Sequence, residues 1–224
     1  KRRYISQHHK QKIFEINHIN DGDISEKLES EVVDYIESVV NEYDLILVSD
    51  FGHGFITDNL IDKIEKFPVK LAVNAQTNGA NSGYNLITKY KQTNFICLDA
   101  PEARLATQEK RADIESVAKK LLNEVNTDCL IITVGDGGSI CINKEGEINL
   151  TPAFATKVVD VIGAGDAFFS LSSLCFASKM PMDLVSFFGN VIGALSVQIV
   201  GNKRAVECYE IKEFIHAVLE QVEH

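Results

Sequence analysis

The stretch Val158-Val159-Asp160-Val161-Ile162-Gly163-Ala164-Gly165-Asp166-Ala167-Phe168-Phe169 says more about the fold than any other in the chain. Two glycines flank one alanine, and the apolar run that follows reads as a helix over about 165–178. A glycine turn opening a helix gathers unpaired N–H groups and the positive end of the helix dipole, which makes an anion site. Glycine also lets the backbone approach a phosphate closely. Asp166 is out of place in a site that only binds anions, because like charges repel. It has a use if it meets a hydroxyl that attacks phosphorus, since that reaction needs positioning, charge stabilisation and a proton acceptor. A plainer reading stands beside this one: the glycines make a tight turn and Asp166 favours the helix dipole. The stretch is not a P-loop, because GxxxxGK[ST] is absent. It is not a dinucleotide fingerprint either, because GxGxxG would need glycine at Phe168.

Outward from this turn, short apolar runs alternate with helical patterns. Leu45-Ile46-Leu47-Val48, Val69-Lys70-Leu71-Ala72-Val73, Phe95-Ile96-Cys97-Leu98 and Leu130-Ile131-Ile132-Thr133-Val134 read as strands buried on both faces. Asp23 and Glu26 have capping-box spacing ahead of Val32, Val33, Ile36, Val39 and Val40, which repeat at helical spacing. Thr57 is placed to cap a helix carrying Leu60, Ile61 and Ile64, and further helices are expected near 101–108 and 112–123. Residues 74–83 read as a polar, Asn- and Gly-rich loop. Ser139-Ile140-Cys141-Ile142 is expected to return antiparallel after Gly137-Gly138, and apolar helices follow at about 183–199 and 210–222, with Pro181 before them. The alternation predicts an α/β fold, a doubly wound and mostly parallel sheet with helices on both faces. Residues 3–7 and 12–18, around Gln7-His8-His9-Lys10, read as a hairpin outside that alternation. The expected division is a small β element over 1–20 and an α/β core over 21–224.

The 224 residues suffice for one sizeable core, or a core with a small accessory sheet. A formal net charge of −10 repels phosphate backbones and anionic lipid, so neither nucleic acid nor a membrane surface is expected as a partner. The five cysteines form no CxxC pair and mostly sit in apolar runs, as reduced thiols of a cytoplasmic protein would. No apolar run reaches the roughly 18 residues of a membrane span, and no signal-peptide pattern is present. The histidines show no metal spacing, and the acidic runs at 26–31 and 213–223 read as solvated helix faces.

Asp160-Val161-Ile162-Gly163-Ala164-Gly165-Asp166 resembles the D-T-x-G-A-G-D signature of the ribokinase (PfkB) family of carbohydrate kinases, with Val161 in place of threonine. Other pieces match in order. Thr133-Val134-Gly135 with Gly138 resembles the T-L-G-x-x-G turn, and Asp99-Ala100-Pro101-Glu102 is similar to N-x-x-E with Asp99 replacing asparagine. Asn190 precedes Gly201 by the family's spacing. Val48-Ser49-Asp50-Phe51-Gly52-His53-Gly54 resembles S-D-Y-G-K-G of the heptose-phosphate kinase (ADP-heptose synthase-like) branch, with His53 in place of lysine. That substitution makes a fixed charge conditional on pH.

The resemblance implies ATP as phosphoryl donor, with Mg²⁺ and in many members K⁺. It implies Asp166 as base and the N–H groups of Gly163, Ala164 and Gly165 as the phosphate's cradle. Thr133, Gly135, Gly138 and Asn190 would line the nucleotide. Glu102, with Asp99, would orient the magnesium network through water, and Asp160 would border the monovalent-cation loop. Asp99 to Glu102 is also a capping box by its spacing, and the two roles are compatible. The acceptor would be a sugar or sugar phosphate, with Asp50, His53 and Asn74 as candidate contacts. Amides near Asn74 suit sugar hydroxyls and equally suit an ordinary loop. Another small alcohol, such as a nucleoside or vitamin precursor, and a catalytically silent binding module are the alternatives. The hairpin would belong to a lid over the sugar, and lids in this family often pair two subunits, which implies a homodimer. The family's Gly-Gly-containing sugar-binding motif has no counterpart here, and the chain opens on Lys1-Arg2-Arg3 without methionine, so a fragment lacking its N-terminal part is expected.

Overall fold

The computed structural model describes residues 2–6, 12–20, 22–79, 81–155 and 157–220. The predicted turn at Gln7-His8-His9-Lys10 lies outside the described residues. Its flanks, β1 (Arg2–Ile5) and β2 (Lys12–Ile16), pair antiparallel as a sheet of their own.

The main sheet has six strands in chain order: β3 (Leu45–Asp50), β4 (Lys70–Ala75), β5 (Phe95–Asp99), β6 (Cys129–Thr133), β7 (Ser139–Asn143) and β8 (Ile148–Thr151). The first four run parallel, and β7 and β8 add antiparallel at one side. The return of 139–142 is therefore as expected. Strand β8 has no counterpart in the sequence reading; it is four residues with polar Asn149 and Thr151 between the apolar ones.

Alternation along the strands builds two cores. Val48, Leu71, Val73, Ile96, Leu98, Leu130, Ile132, Ile140 and Ile142 face one side, packed by α1 (Glu26–Val39), α2 (Asp58–Ile64), α3 (Ala100–Thr107) and α4 (Ile114–Glu124). Ala72, Phe95, Cys97, Cys129, Ile131 and Cys141 face the other, packed by α5 (Ala164–Ala177) and α6 (Met182–Ser196). Both faces are covered, which is why these strands read as continuous apolar runs. Each fully buried Val, Leu, Ile or Phe among them contributes about 1.5–3 kcal/mol. Helix α7 (Cys208–Glu220) follows α6.

Caps fix the helix starts. Thr57 accepts from the Leu60 N–H, as expected. Helix α1 is capped by Ser25, which accepts from the Leu28 N–H, and not by Asp23. The Ile24 N–H instead donates to the Gly54 carbonyl at 3.0 Å, which holds the residues before Ser25 against the loop after β3. Where the third glycine of a dinucleotide fingerprint would stand, Phe168 packs over Gly189 of α6; a Cβ on Gly189 would lie 2.5 Å from the ring. All five cysteines are free, four of them buried. No described helix is long and apolar enough to cross a membrane.

Candidate active site

The C-terminal ends of the parallel strands, where open α/β sheets bind ligands, meet the start of α5. Gly163 occupies the N-cap of α5 with φ 81°, a left-handed conformation that favours glycine. The Ala164 N–H closes the turn onto the Val161 carbonyl at 3.2 Å. Gly165 is different. Its backbone is not left-handed, and a Cβ built on it would meet nothing within 4 Å. The fold itself gives no reason for glycine at 165.

Asp166 sits in that first turn, exposed to solvent. Gln76, just past the end of β4, donates from Nε2 to its Oδ1 at 2.6 Å. The next residue faces the other way in the site: the Thr77 N–H donates to Glu102 Oε1 at 3.0 Å. Glu102 belongs to a closed capping box, its Oε2 accepting from the Asp99 N–H at 2.9 Å while Asp99 Oδ1 accepts from the Glu102 N–H at 2.8 Å. Burial, then the neighbouring Asp99 charge, raises the Glu102 carboxyl to about 7 despite its two backbone donors. Asp99 is exposed on one side, yet the protein around its other side draws enough water away to raise its carboxyl as well. Two carboxylates short of positive partners are a donor set suited to a hard cation. Among the described residues no cluster of three or more His, Cys, Asp or Glu could hold a metal by itself.

The register carries the line on. Asp99 lies opposite Thr133 on β6, and Thr133 opposite Ser139 on β7. The Ser139 hydroxyl accepts from Asn190 Nδ2 at 2.7 Å, which also donates to the Ser186 carbonyl at 2.9 Å. Gly135 and Gly138 shape the turn between β6 and β7, and a Cβ on Gly138 would strike the Thr151 carbonyl at 2.0 Å. A φ of 86° and the close approach of the chain at 151–153 together account for glycine at 138.

Asp160 is buried, with Oδ1 accepting from the Ile162 N–H at 3.1 Å and Oδ2 from the Gly201 N–H at 2.8 Å. It ties the approach to the glycine turn to the loop after α6. Asn74, also buried, donates to the Cys97 carbonyl at 2.8 Å, and its Oδ1 has no partner among the described residues. Buried acceptors are rarely left unpaired.

Asp50 is placed differently from a substrate contact. It is 1% exposed, and its carboxylate takes the Gly52 N–H at 2.9 Å, the Tyr90 hydroxyl at 2.8 Å and the Lys89 ammonium at 2.5 Å. Burial and the Asp50 charge push the Tyr90 hydroxyl well above its usual range. The Phe51 carbonyl accepts from Asn78 and Asn81, and Asn85 Nδ2 donates to the Asp50 and Gln76 carbonyls. The amides of 74–85 thus largely bind backbone. His53 is half-buried on the loop they hold. The sequence gives no signal for Lys89, Tyr90 or Asn85, and there Gln76 is only one amide among several.

The pfkB family carbohydrate kinase model matches residues 18–207. The bifunctional protein HldE of Campylobacter curvus is 29% identical over 193 residues, 85% of this chain and 40% of that protein. HldE of Helicobacter hepaticus is 26% identical over 209 residues, covering 92% and 42%. The chain therefore spans about two fifths of the length of these curated relatives. Among solved structures, phosphofructokinase-2 from Escherichia coli in complex with potassium superposes with a TM-score of 0.72 at 13% identity, over 88% of this chain and 64% of that one. Ribokinase from Thermotoga maritima does so with 0.68 at 19%, over 85% and 62%. These two show a shared fold; with the family match over most of the sequence, the chain belongs to the pfkB family of carbohydrate kinases.

Proposed function

We propose that this chain holds ATP and moves its γ-phosphoryl group to a hydroxyl of a sugar or sugar phosphate, with Asp166 as the base. The observation that carries the reading is the dipeptide Gln76-Thr77, which bonds Asp166 on one side and Glu102 on the other. A proton acceptor and a cation-seeking carboxylate are thereby held at one end of the sheet, beside a helix start with open space at the Cβ position of Gly165. As the bond between acceptor oxygen and γ-phosphorus forms, the hydroxyl proton passes to Asp166 and the bond to the β,γ-bridging oxygen breaks, leaving ADP. The N–H groups of Gly163 and Gly165 would face the charge that develops on the transferring group; that of Ala164, expected to share the task, is taken by the Val161 carbonyl. Bound Mg²⁺ would supply neutralisation of the phosphate charge. Glu102 and Asp99 would hold it through water, their oxygens oriented by the backbone N–H groups that they accept.

Thr133, Gly135, Gly138 and Asn190 would line the nucleotide. Asp160 would border a K⁺ loop; each of its oxygens has one N–H and retains capacity for a cation. On the acceptor side, Asn74 and His53 are the proposed contacts, and Asp50 holds their loops. The HldE relatives and the resemblance of 48–54 favour a heptose phosphate as acceptor. The sheet of β1 and β2 would be part of a lid, and buried unpaired thiols suit the cytoplasm.

The test is ADP release by the full-length protein with ATP, Mg²⁺ and a panel of a heptose phosphate, fructose 6-phosphate, ribose and a nucleoside. Turnover with a sugar or sugar phosphate is expected. Turnover with the nucleoside alone moves the substrate class. No ADP release with any alcohol favours a silent binding module, the reading that the replacements at Val161, Asp99 and His53 keep open and the retained Asp166 argues against.

A further inference from the structure

We propose that Gln76 is a positioning residue for Asp166, an inference that rests on the base reading above. Asp166 is exposed on the first turn of α5, where its side chain has rotamers to lose. Gln76 removes that freedom from a fixed point. Its own N–H donates to the Asp50 carbonyl at 2.7 Å, its carbonyl accepts from Asn85 Nδ2 at 3.0 Å, and the adjacent Thr77 N–H is held by Glu102 at 3.0 Å. From that clamped backbone the side chain spans to a residue 90 positions away and takes Oδ1 at 2.6 Å. Oδ2 is left as the oxygen that receives the proton. An exposed side-chain hydrogen bond adds little stability. Holding a reacting group in one geometry before substrate arrives lowers the barrier instead. The amide is suited to this: it donates to the carboxylate without neutralising it, which an arginine or lysine at 76 would do.

The experiment uses the full-length protein, ATP and Mg²⁺, with whichever of a heptose phosphate, fructose 6-phosphate or ribose gives ADP release. Gln76→Ala is expected to lower kcat about 10- to 30-fold with KM for ATP within about twofold, and with an unchanged melting temperature. Gln76→Glu places a like charge on Asp166 and should move the acidic limb of the kcat profile to higher pH; Gln76→Lys should move it the opposite way. Glu102, held by the Thr77 N–H, feels the charge at 76 in the same sense, so the comparison is repeated with Glu102→Gln, where opposed shifts that persist report on Asp166. A purely structural role would change the folded fraction and leave the limb in place.

Asp166→Asn is assayed in parallel. If it is inactive while Gln76→Ala keeps at least half of kcat and the limb does not move, this inference fails and the base reading stands. If Asp166→Asn is as active as the parent, both fail. Where no acceptor turns over, the side-chain amide of Gln76 decides by NMR, assigned by its loss in Gln76→Ala. Its ¹H–¹⁵N signals should shift in Asp166→Asn, and unchanged signals overturn the proposal.

Discussion

Glu102 shows what one residue contributes and costs. Its carboxyl is raised from 4.5 to about 7, first by burial and then by Asp99. A raised folded value means that stability present below pH 4.5 is lost as pH climbs towards 7. Thermal melts of the metal-free protein should therefore show a loss on the order of 2 kcal/mol across that window. Glu102→Gln, which stays neutral, should flatten the curve; an equal slope in the variant would contradict the assignment. The local residues of the site were legible because their motifs are local: Asp99 with Glu102 and Gly163 with Asp166 each lie within one turn. The contacts Gln76–Asp166, across 90 positions, and Tyr90–Asp50, across 40, have no period that a sequence can display. For the same reason Asp50 reads as a ligand contact from its place at a strand end, while its bonds to Gly52, Tyr90 and Lys89 show it holding the loop.

Among the elements, β3 to β7 were readable because both faces of the sheet are covered and their apolar runs are unbroken. Strand β8 was not, being a short edge strand whose alternate residues are polar. The start of α1 was misplaced because Asp23 and Glu26 have capping-box spacing, whereas Ser25 caps the helix without an acidic partner three residues on, and Ile24 is bonded to Gly54. The contact of α5 with α6 makes a sharper claim. Gly189→Val drives a side chain into the Phe168 ring, one carbon of which would lie 2.5 Å from the new Cβ. Overpacking of this kind costs roughly 1–3 kcal/mol, or roughly 2–12 °C in melting temperature for a chain of this size. Adding Phe168→Leu should recover part of the loss; additive losses in the double variant would contradict the contact.

On the scale of the whole molecule, the two sheets have different surfaces. The six-stranded sheet is covered on both faces. In the small sheet Tyr4 and Phe14 stack at 4.3 Å, and Phe14 and Ile16 remain 50% and 42% exposed. A lid that pairs two subunits would cover them. Phe14→Glu in the full-length protein should convert a dimer to a monomer in sedimentation velocity, and a monomeric parent would remove that partner. The central claim is that the loop at 163–166 transfers phosphate. Its most direct test compares full-length parent and Asp166→Asn for conversion of ATP and acceptor to ADP and sugar phosphate by ³¹P NMR, with ATP affinity measured alongside. A loss of turnover of about 10²–10⁴-fold at nearly unchanged ATP affinity is predicted; an Asn variant that phosphorylates as fast as the parent would contradict it.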